Sequence, residues 1–255
     1  MILAIDVGNT NIVLGCIEDG TILNIERIQT LPRATAIEYA IKLRAVLDYH
    51  QISPDQLEGA IIASVVPPVT GALSAAVKTI TGLQSSIVGP GMKTGLNVRI
   101  DDPGTLAGDL VVISVAAMTY YGTPAIVMDL STATSMVVVD KTGCYRGGAI
   151  MPGVMLSYEA LASGTSLLPD ISIASPRRVI GTNTVDAMRS GAVFGTAASI
   201  DGMVDRMQEE LGYACRLVAT GELARSIVPC CRHEIICDDD LLLKGLWTLY
   251  QRNHK

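Results

Sequence analysis

The sequence predicts an α/β chain made of two similar halves, and three observations carry that expectation. Short β-branched apolar runs alternate with stretches of helical spacing along all 255 residues. Near the start, Ile5-Asp6-Val7-Gly8-Asn9-Thr10 ends an apolar run in a carboxylate and turns at once through glycine. That stretch has a partner in Val127-Met128-Asp129-Leu130-Ser131-Thr132-Ala133-Thr134. Asp129 stands 123 positions after Asp6, and Gly143 stands the same 123 after Gly20, the glycines of two matching turns. A repeat that long is no solenoid unit and points to two half-molecules, each opening strand–Asp–turn–strand. The expected domains are 1–118 and 119–255.

In chain order, Ile2-Leu3-Ala4-Ile5 suits a buried strand. Gly8 permits a positive φ, and Asn9, Thr10 and Asn11 supply short donors. A second strand over 12–17 meets the Asp19-Gly20 hairpin turn, and a third follows at 21–28. Residues 34–50 have helical spacing, and Ser53-Pro54 opens a short helix. A strand over 60–66 ends at Pro67-Pro68, before a helix at 69–81 and a strand at 86–88. Residues 106–121 read as helix, with Asp109 near its start. A carboxylate there is either a charge favourable to the helix dipole or a base held at a cleft. In the second half, an apolar run ending in Asp129 and a strand at 136–139 lead to a glycine-rich turn at 147–153 and a helix at 156–161. Residues 163–178, with Pro169 and Pro176, are irregular. A long small-residue helix spans 184–211, broken near 191–195. Strands at 215–219 and 235–237 precede a closing helix over 241–253.

A buried acid beside exposed amides suits a phosphate–magnesium group, the acid holding the metal's waters and the amides the oxygens. Two such turns facing across a cleft would clamp a nucleotide's phosphates, a phosphotransferase-like design. The formal net charge of −6, with dispersed basic residues, argues against nucleic acid or an anionic membrane as partner. Asp6 interrupts the early apolar run, so a secretory signal is not expected, nor is a membrane span. The chain reads as cytoplasmic. Of the six cysteines, Cys16, Cys144 and Cys215 read as buried thiols. Cys230-Cys231-Arg232-His233 with Cys237 lacks the spacing of a zinc site. His50, His233 and His254 are too scattered for a histidine site.

With both Asp turns, residues 147–153 and Ile180-Gly181-Thr182-Asn183-Thr184 in view, the chain resembles the type III pantothenate kinases nearly end to end. The ordered set also includes Ser64-Val65-Val66-Pro67, Gly89-Pro90-Gly91-Met92-Lys93-Thr94-Gly95-Leu96, Asp102-Pro103, Leu168-Pro169, Ala187-Met188 and Ser190-Gly191. The resemblance implies the actin and sugar-kinase superfamily, two duplicated ribonuclease-H-like domains around a central nucleotide cleft. It implies transfer of the ATP γ-phosphoryl group to the primary hydroxyl of pantothenate, the first step towards coenzyme A. By that resemblance Asp6, Val7, Gly8, Asn9, Thr10, Asn11, Ile12 and Val13 hold the phosphates, with Asp6 ordering Mg2+ through water. Asp109 falls where the family places its general base, and Asp129 at the ligand of its monovalent cation, K+ or NH4+. Thr132 would contact ATP and Thr184 the pantothenate, with Ile100, Ala107, Gly108, Asp109 and Leu110 along the acceptor site. A homodimer is implied, with the acceptor site near its interface.

Four positions depart from the family pattern. Leu110 stands where the family has an arginine, and Ile100 where it has a tyrosine. Ser131 and Glu222 each replace a glycine of a nucleotide turn. Phosphate handling is expected to persist while acceptor recognition changes, with Arg99, Lys93 or Arg146 taking up the pantothenate carboxylate. Two other readings follow from the same departures. One is a non-catalytic paralogue that binds nucleotide or pantothenate and regulates; the other is a kinase for a neutral hydroxyl compound.

Overall fold

A computed structural model describes residues 1–254. The chain forms β1 (Ile2–Val7), β2 (Asn11–Glu18), β3 (Thr21–Gln29), α1 (Ala36–Tyr49), β4 (Gly59–Ser64), α2 (Pro67–Thr81), β5 (Ser85–Ile87), β6 (Asn97–Val98) and α3 (Gly108–Tyr120). It continues through β7 (Ala125–Leu130), β8 (Ala133–Val139), β9 (Cys144–Pro152), α4 (Val154–Ser163), α5 (Thr184–Ser190) and α6 (Thr196–Leu211). It closes with β10 (Arg216–Thr220), α7 (Ala224–Ile227), β11 (Ile236–Cys237) and α8 (Leu241–Asn253). These elements form two compact units. One comprises Met1–Leu96, Asp101–Thr119 and the chain from Asp240 on; the other comprises Asn97–Ile100 and Tyr120–Asp239.

In the first unit the sheet order is β3-β2-β1-β4-β5. The β1–β2–β3 meander is antiparallel, whereas β1, β4 and β5 run parallel. Every residue of β1 is buried, as a central strand covered on both faces requires. Leu3, Ile5 and Val7 join Leu43 and Leu47 of α1 and Leu73 and Val77 of α2 in one core. Asp19 and Gly20 both have positive φ (48° and 82°), the two-residue turn expected at an Asp-Gly hairpin. Pro67 and Pro68 begin α2 instead of merely ending β4, because proline's fixed φ suits the first helical turn.

The closing helix α8, expected with residues 119–255, belongs to the first unit. Glycines admit it. A Cβ on Gly59 of β4 would lie 1.9 Å from the Tyr250 hydroxyl, and one on Gly15 of β2 would lie 2.9 Å from Leu243. Gly245 of α8 sits so close to α3 that a Cβ would fall 2.3 Å from the Val112 carbonyl. The sequence marks these positions only as glycines, since the partner helix lies some 200 residues away in the chain for Gly59 and Gly15 alike.

The second unit repeats the first sheet. Its order is β11-β10-β7-β8-β9-β6, so β9-β8-β7-β10-β11 restates β3-β2-β1-β4-β5 with β6 added at the edge. The repeat is kept to the residue: Ile2 and Ala125 begin equivalent strands 123 apart, and Gln29 and Pro152 end equivalent strands 123 apart. The glycine-rich segment at 147–153 is largely strand, not turn: β9 runs through it to Pro152. Gly148 is there for close approach, since a Cβ would lie 2.0 Å from the Met136 carbonyl, beside a register shift at Val138/Val139. The long small-residue helix is interrupted where expected, by five π-helical residues, Gly191–Gly195, between α5 and α6. Among the described residues no helix is long and apolar enough to cross a membrane.

Candidate active site

Asp6 is the penultimate residue of β1, 7% exposed, and lies between Val13 of β2 and Ala63 of β4 in the ladder. Alternation along β1 puts it on the face opposite the Leu3–Ile5–Val7 core. The chain then turns through Gly8, Asn9 and Thr10. Gly8 donates its N–H to the Asn11 carbonyl at 3.0 Å, and a Cβ on Gly8 would lie 3.0 Å from that same oxygen. Gly8 is not among the residues of positive φ, so glycine serves here for close approach and not for a left-handed turn. Thr30, just past β3 and 6% exposed, closes the turn from below. Its hydroxyl donates to the Gly8 carbonyl at 2.7 Å, and its N–H donates to the Thr10 carbonyl at 2.9 Å. Asn9 and Thr10 are exposed, while Asn11 and Val13 are half-buried and Ile12 is in the core.

Asp109 comes to the same edge of this sheet. The Val88 N–H, just beyond β5, bonds the Ile62 carbonyl at 2.8 Å, which fixes where the parallel strands end. Gly108 opens α3 against that point, its Cβ position 3.6 Å from Val88. The first turn of α3 and the end of β1 thus share the carboxyl edge of the parallel strands, where open α/β sheets bind ligands. Asp109 Oδ1 accepts the Leu110 N–H at 2.8 Å. Burial pushes the Asp109 carboxyl above the ordinary carboxylate value and outweighs that bond, which pulls it down. A carboxylate held in this way is the better proton acceptor. Leu110 itself is 9% exposed and buried with Val112 and Ile113.

The second unit carries the counterpart. Asp129 is the penultimate residue of β7 and 9% exposed, in register with Ser135 of β8 and Thr220 of β10. The Ser131 hydroxyl donates to Asp129 Oδ2 at 3.0 Å, and the Ser131 N–H to the Ala133 carbonyl at 3.1 Å. Gly221, with φ of 99°, presses on the same carboxylate, so that a Cβ would lie 2.5 Å from Asp129 Oδ1. Gly153 donates its N–H to the Thr132 carbonyl at 3.2 Å, and a Cβ on it would fall 2.2 Å from that oxygen. Glu222 follows Gly221 and is exposed.

Ala107 and Gly108 are half-buried at the start of α3, and Ile100 lies beside β9, its methyl 3.7 Å from the Cβ position of Gly147. Thr184 is exposed at the first residue of α5, which Asn183 caps by accepting the Asp186 N–H at 2.9 Å. All six cysteines are free, and no group of three or more His, Cys, Asp or Glu among the described residues could hold a metal. Mg2+ is usually held by no more than one or two carboxylates, with substrate oxygens and water completing its shell. Thr30 is the residue that a reading of the motifs overlooks. The repeat itself could have found it, since Thr30 stands 123 before Gly153 of the glycine-rich motif.

A doubled sheet of this order, with an acid near the carboxyl end of each first strand, is the duplicated ribonuclease-H-like fold of the actin and sugar-kinase superfamily. Solved structures share it. Component A of the (R)-2-hydroxyglutaryl-CoA dehydratase of Acidaminococcus fermentans matches with a TM-score of 0.59 at 14% identity, over 98% of this chain and 96% of that one. A ROK family protein from Streptococcus pneumoniae matches with a TM-score of 0.52 at 12% identity, over 98% of both chains. The sequence profile of the type III pantothenate kinases matches residues 2–206. A type III pantothenate kinase of Halalkalibacterium halodurans is 42% identical over 99% of this chain and 100% of its own. One from an Exiguobacterium species is 41% identical over the whole of both. The chain belongs to the type III pantothenate kinase family.

Proposed function

We propose that the protein transfers the γ-phosphoryl group of ATP to the primary hydroxyl of pantothenate. The observation that carries this reading is Asp109, a carboxylate raised by burial, at the sheet edge that also bears the Asp6 turn, in a chain of this family. Phosphoryl transfer asks mainly for positioning and charge neutralisation, with one group to accept the hydroxyl proton. Asp109 is that acceptor. The amides and side chains of residues 7–13 hold the phosphate oxygens, Asp6 orders the waters of Mg2+, and Thr132 contacts the nucleotide. Asp129, with the Ser131 hydroxyl beside it, offers the hard oxygen donors that suit K+ or NH4+. When bound, the two cations neutralise phosphate charge. Thr184, Ile100, Ala107, Gly108 and Leu110 belong to the acceptor side.

A homodimer is part of this reading. Ile150, Leu167 and Ile180 of the second unit are 71%, 91% and 79% exposed, apolar side chains available to such an interface. The test is ADP release by the purified protein with ATP, Mg2+ and K+, supplied with pantothenate or with a neutral amide analogue. Turnover with pantothenate is expected. Release with the neutral analogue alone would move the acceptor to another hydroxyl compound, and release with neither would leave a binding protein.

A further inference from the structure

We infer that Thr30 is a positioning residue of the phosphate turn, an inference that rests on the reading of residues 6–13 as the ATP site. Thr30 is nearly fully buried and bonds the turn twice, through its hydroxyl to the Gly8 carbonyl (2.7 Å) and through its N–H to the Thr10 carbonyl (2.9 Å). In a trans peptide the C=O and the following N–H point to opposite sides. Holding the Gly8 and Thr10 carbonyls towards Thr30 therefore turns the N–H groups of Asn9 and Asn11 the other way. A phosphate turn needs this polarity, because carbonyl oxygens facing an anion repel it while N–H groups bind it. The Gly8 N–H bond to Asn11 at 3.0 Å sets the width of the turn but fixes neither of these two peptide planes. Thr30 bonds both, and its hydroxyl can be removed without altering the backbone. The equivalent position in the second unit makes the matching backbone bond from Gly153 to Thr132 but has no side chain to add. The hydroxyl bond is thus peculiar to the turn that takes the phosphates.

The experiment compares Thr30→Val, which keeps the shape and loses the hydroxyl, with Thr30→Ser, which restores it. With Thr30→Val the KM for ATP is expected to rise about tenfold, since a half-buried carbonyl loses its donor. The KM for pantothenate should stay within twofold, and Thr30→Ser should return the ATP value to that of the unaltered protein. Calorimetry with MgATP, without acceptor, should show the same tenfold loss of affinity in Thr30→Val. Should the valine variant not fold, Thr30→Ala removes the same hydroxyl and carries the same expectations. Unchanged ATP affinity, equal changes in both KM values, or no rescue by serine would overturn the inference. If the unaltered protein binds MgATP but does not phosphorylate pantothenate, the functional reading fails while the calorimetry still decides the role of Thr30. Absence of MgATP binding in the unaltered protein would overturn both.

Discussion

The two acid-bearing hairpins begin alike and are closed by different means. In the first, Thr30 ties the Gly8 and Thr10 carbonyls with a side chain and an N–H. In the second, 123 residues on, Gly153 keeps only the N–H bond, and the backbone of Ser131 and Thr132 lies where a Cβ would be. The carboxylates differ as well. Asp129 is held by the Ser131 hydroxyl and pressed by Gly221, whereas Gly8 follows Asp6 with no hydroxyl in that place. A duplicated frame thus keeps backbone placement while the side chains around it diverge, one turn closed by a hydroxyl and the other built around a fixed carboxylate.

The largest effect expected is at Asp109, which belongs to the first unit alone. Asp109→Asn should lower turnover by about 10²–10⁴-fold, the range for loss of a general base, with MgATP affinity retained. Unchanged turnover would place the base elsewhere. Next comes Gly153→Ala, where a Cβ 2.2 Å from a backbone oxygen leaves nothing flexible to yield. A loss of about 3 kcal/mol is expected in denaturant unfolding. Thr30→Ala, at the matching place in the first unit, should cost about 1 kcal/mol. Equal losses would break the contrast between the two closures. Ser131→Ala removes one hydrogen bond to a carboxylate and should raise the K+ needed for half-maximal rate a few-fold, with the Mg2+ requirement unmoved.

The smallest effect is on stability against pH. The Asp109 carboxyl is raised in the folded chain, so the folded state holds that proton to higher pH than the unfolded one. Its contribution to stability is present below the ordinary carboxylate value and is lost as pH rises through the raised one. Asp109→Asn should remove this slope and leave the protein at least as stable at neutral pH, measured by Tm across that window. A lower Tm at neutral pH would show that the charged carboxylate is satisfied, not strained by burial.

Much of this was legible in the sequence, for reasons that are physical. The Asp6 and Asp129 turns could be seen because apolar strands that must be buried on both faces bracket an acid and a tight turn, and because the strands on each side keep one spacing. The Asp-Gly turn and the break at Gly191–Gly195 follow from backbone freedom, which is a local property. What stayed hidden depends on distant neighbours. Glycine at 147 and 148 reads as a turn until β8 is laid against it, and Gly15 and Gly59 reveal nothing of α8. β6 is two residues long, too short for any periodicity to show. Thr30 looks like an ordinary polar residue at a strand end, and its role appears only when the β2–β3 register brings it beneath Gly8.

The division of labour proposed for the hairpins is tested most directly by initial rates titrated with K+ and with Mg2+ in Asp6→Asn and Asp129→Asn. Asp129→Asn should raise the K+ requirement and leave that for Mg2+ in place, and Asp6→Asn should do the reverse. Variants that shift both requirements alike would contradict the assignment of one cation to each carboxylate.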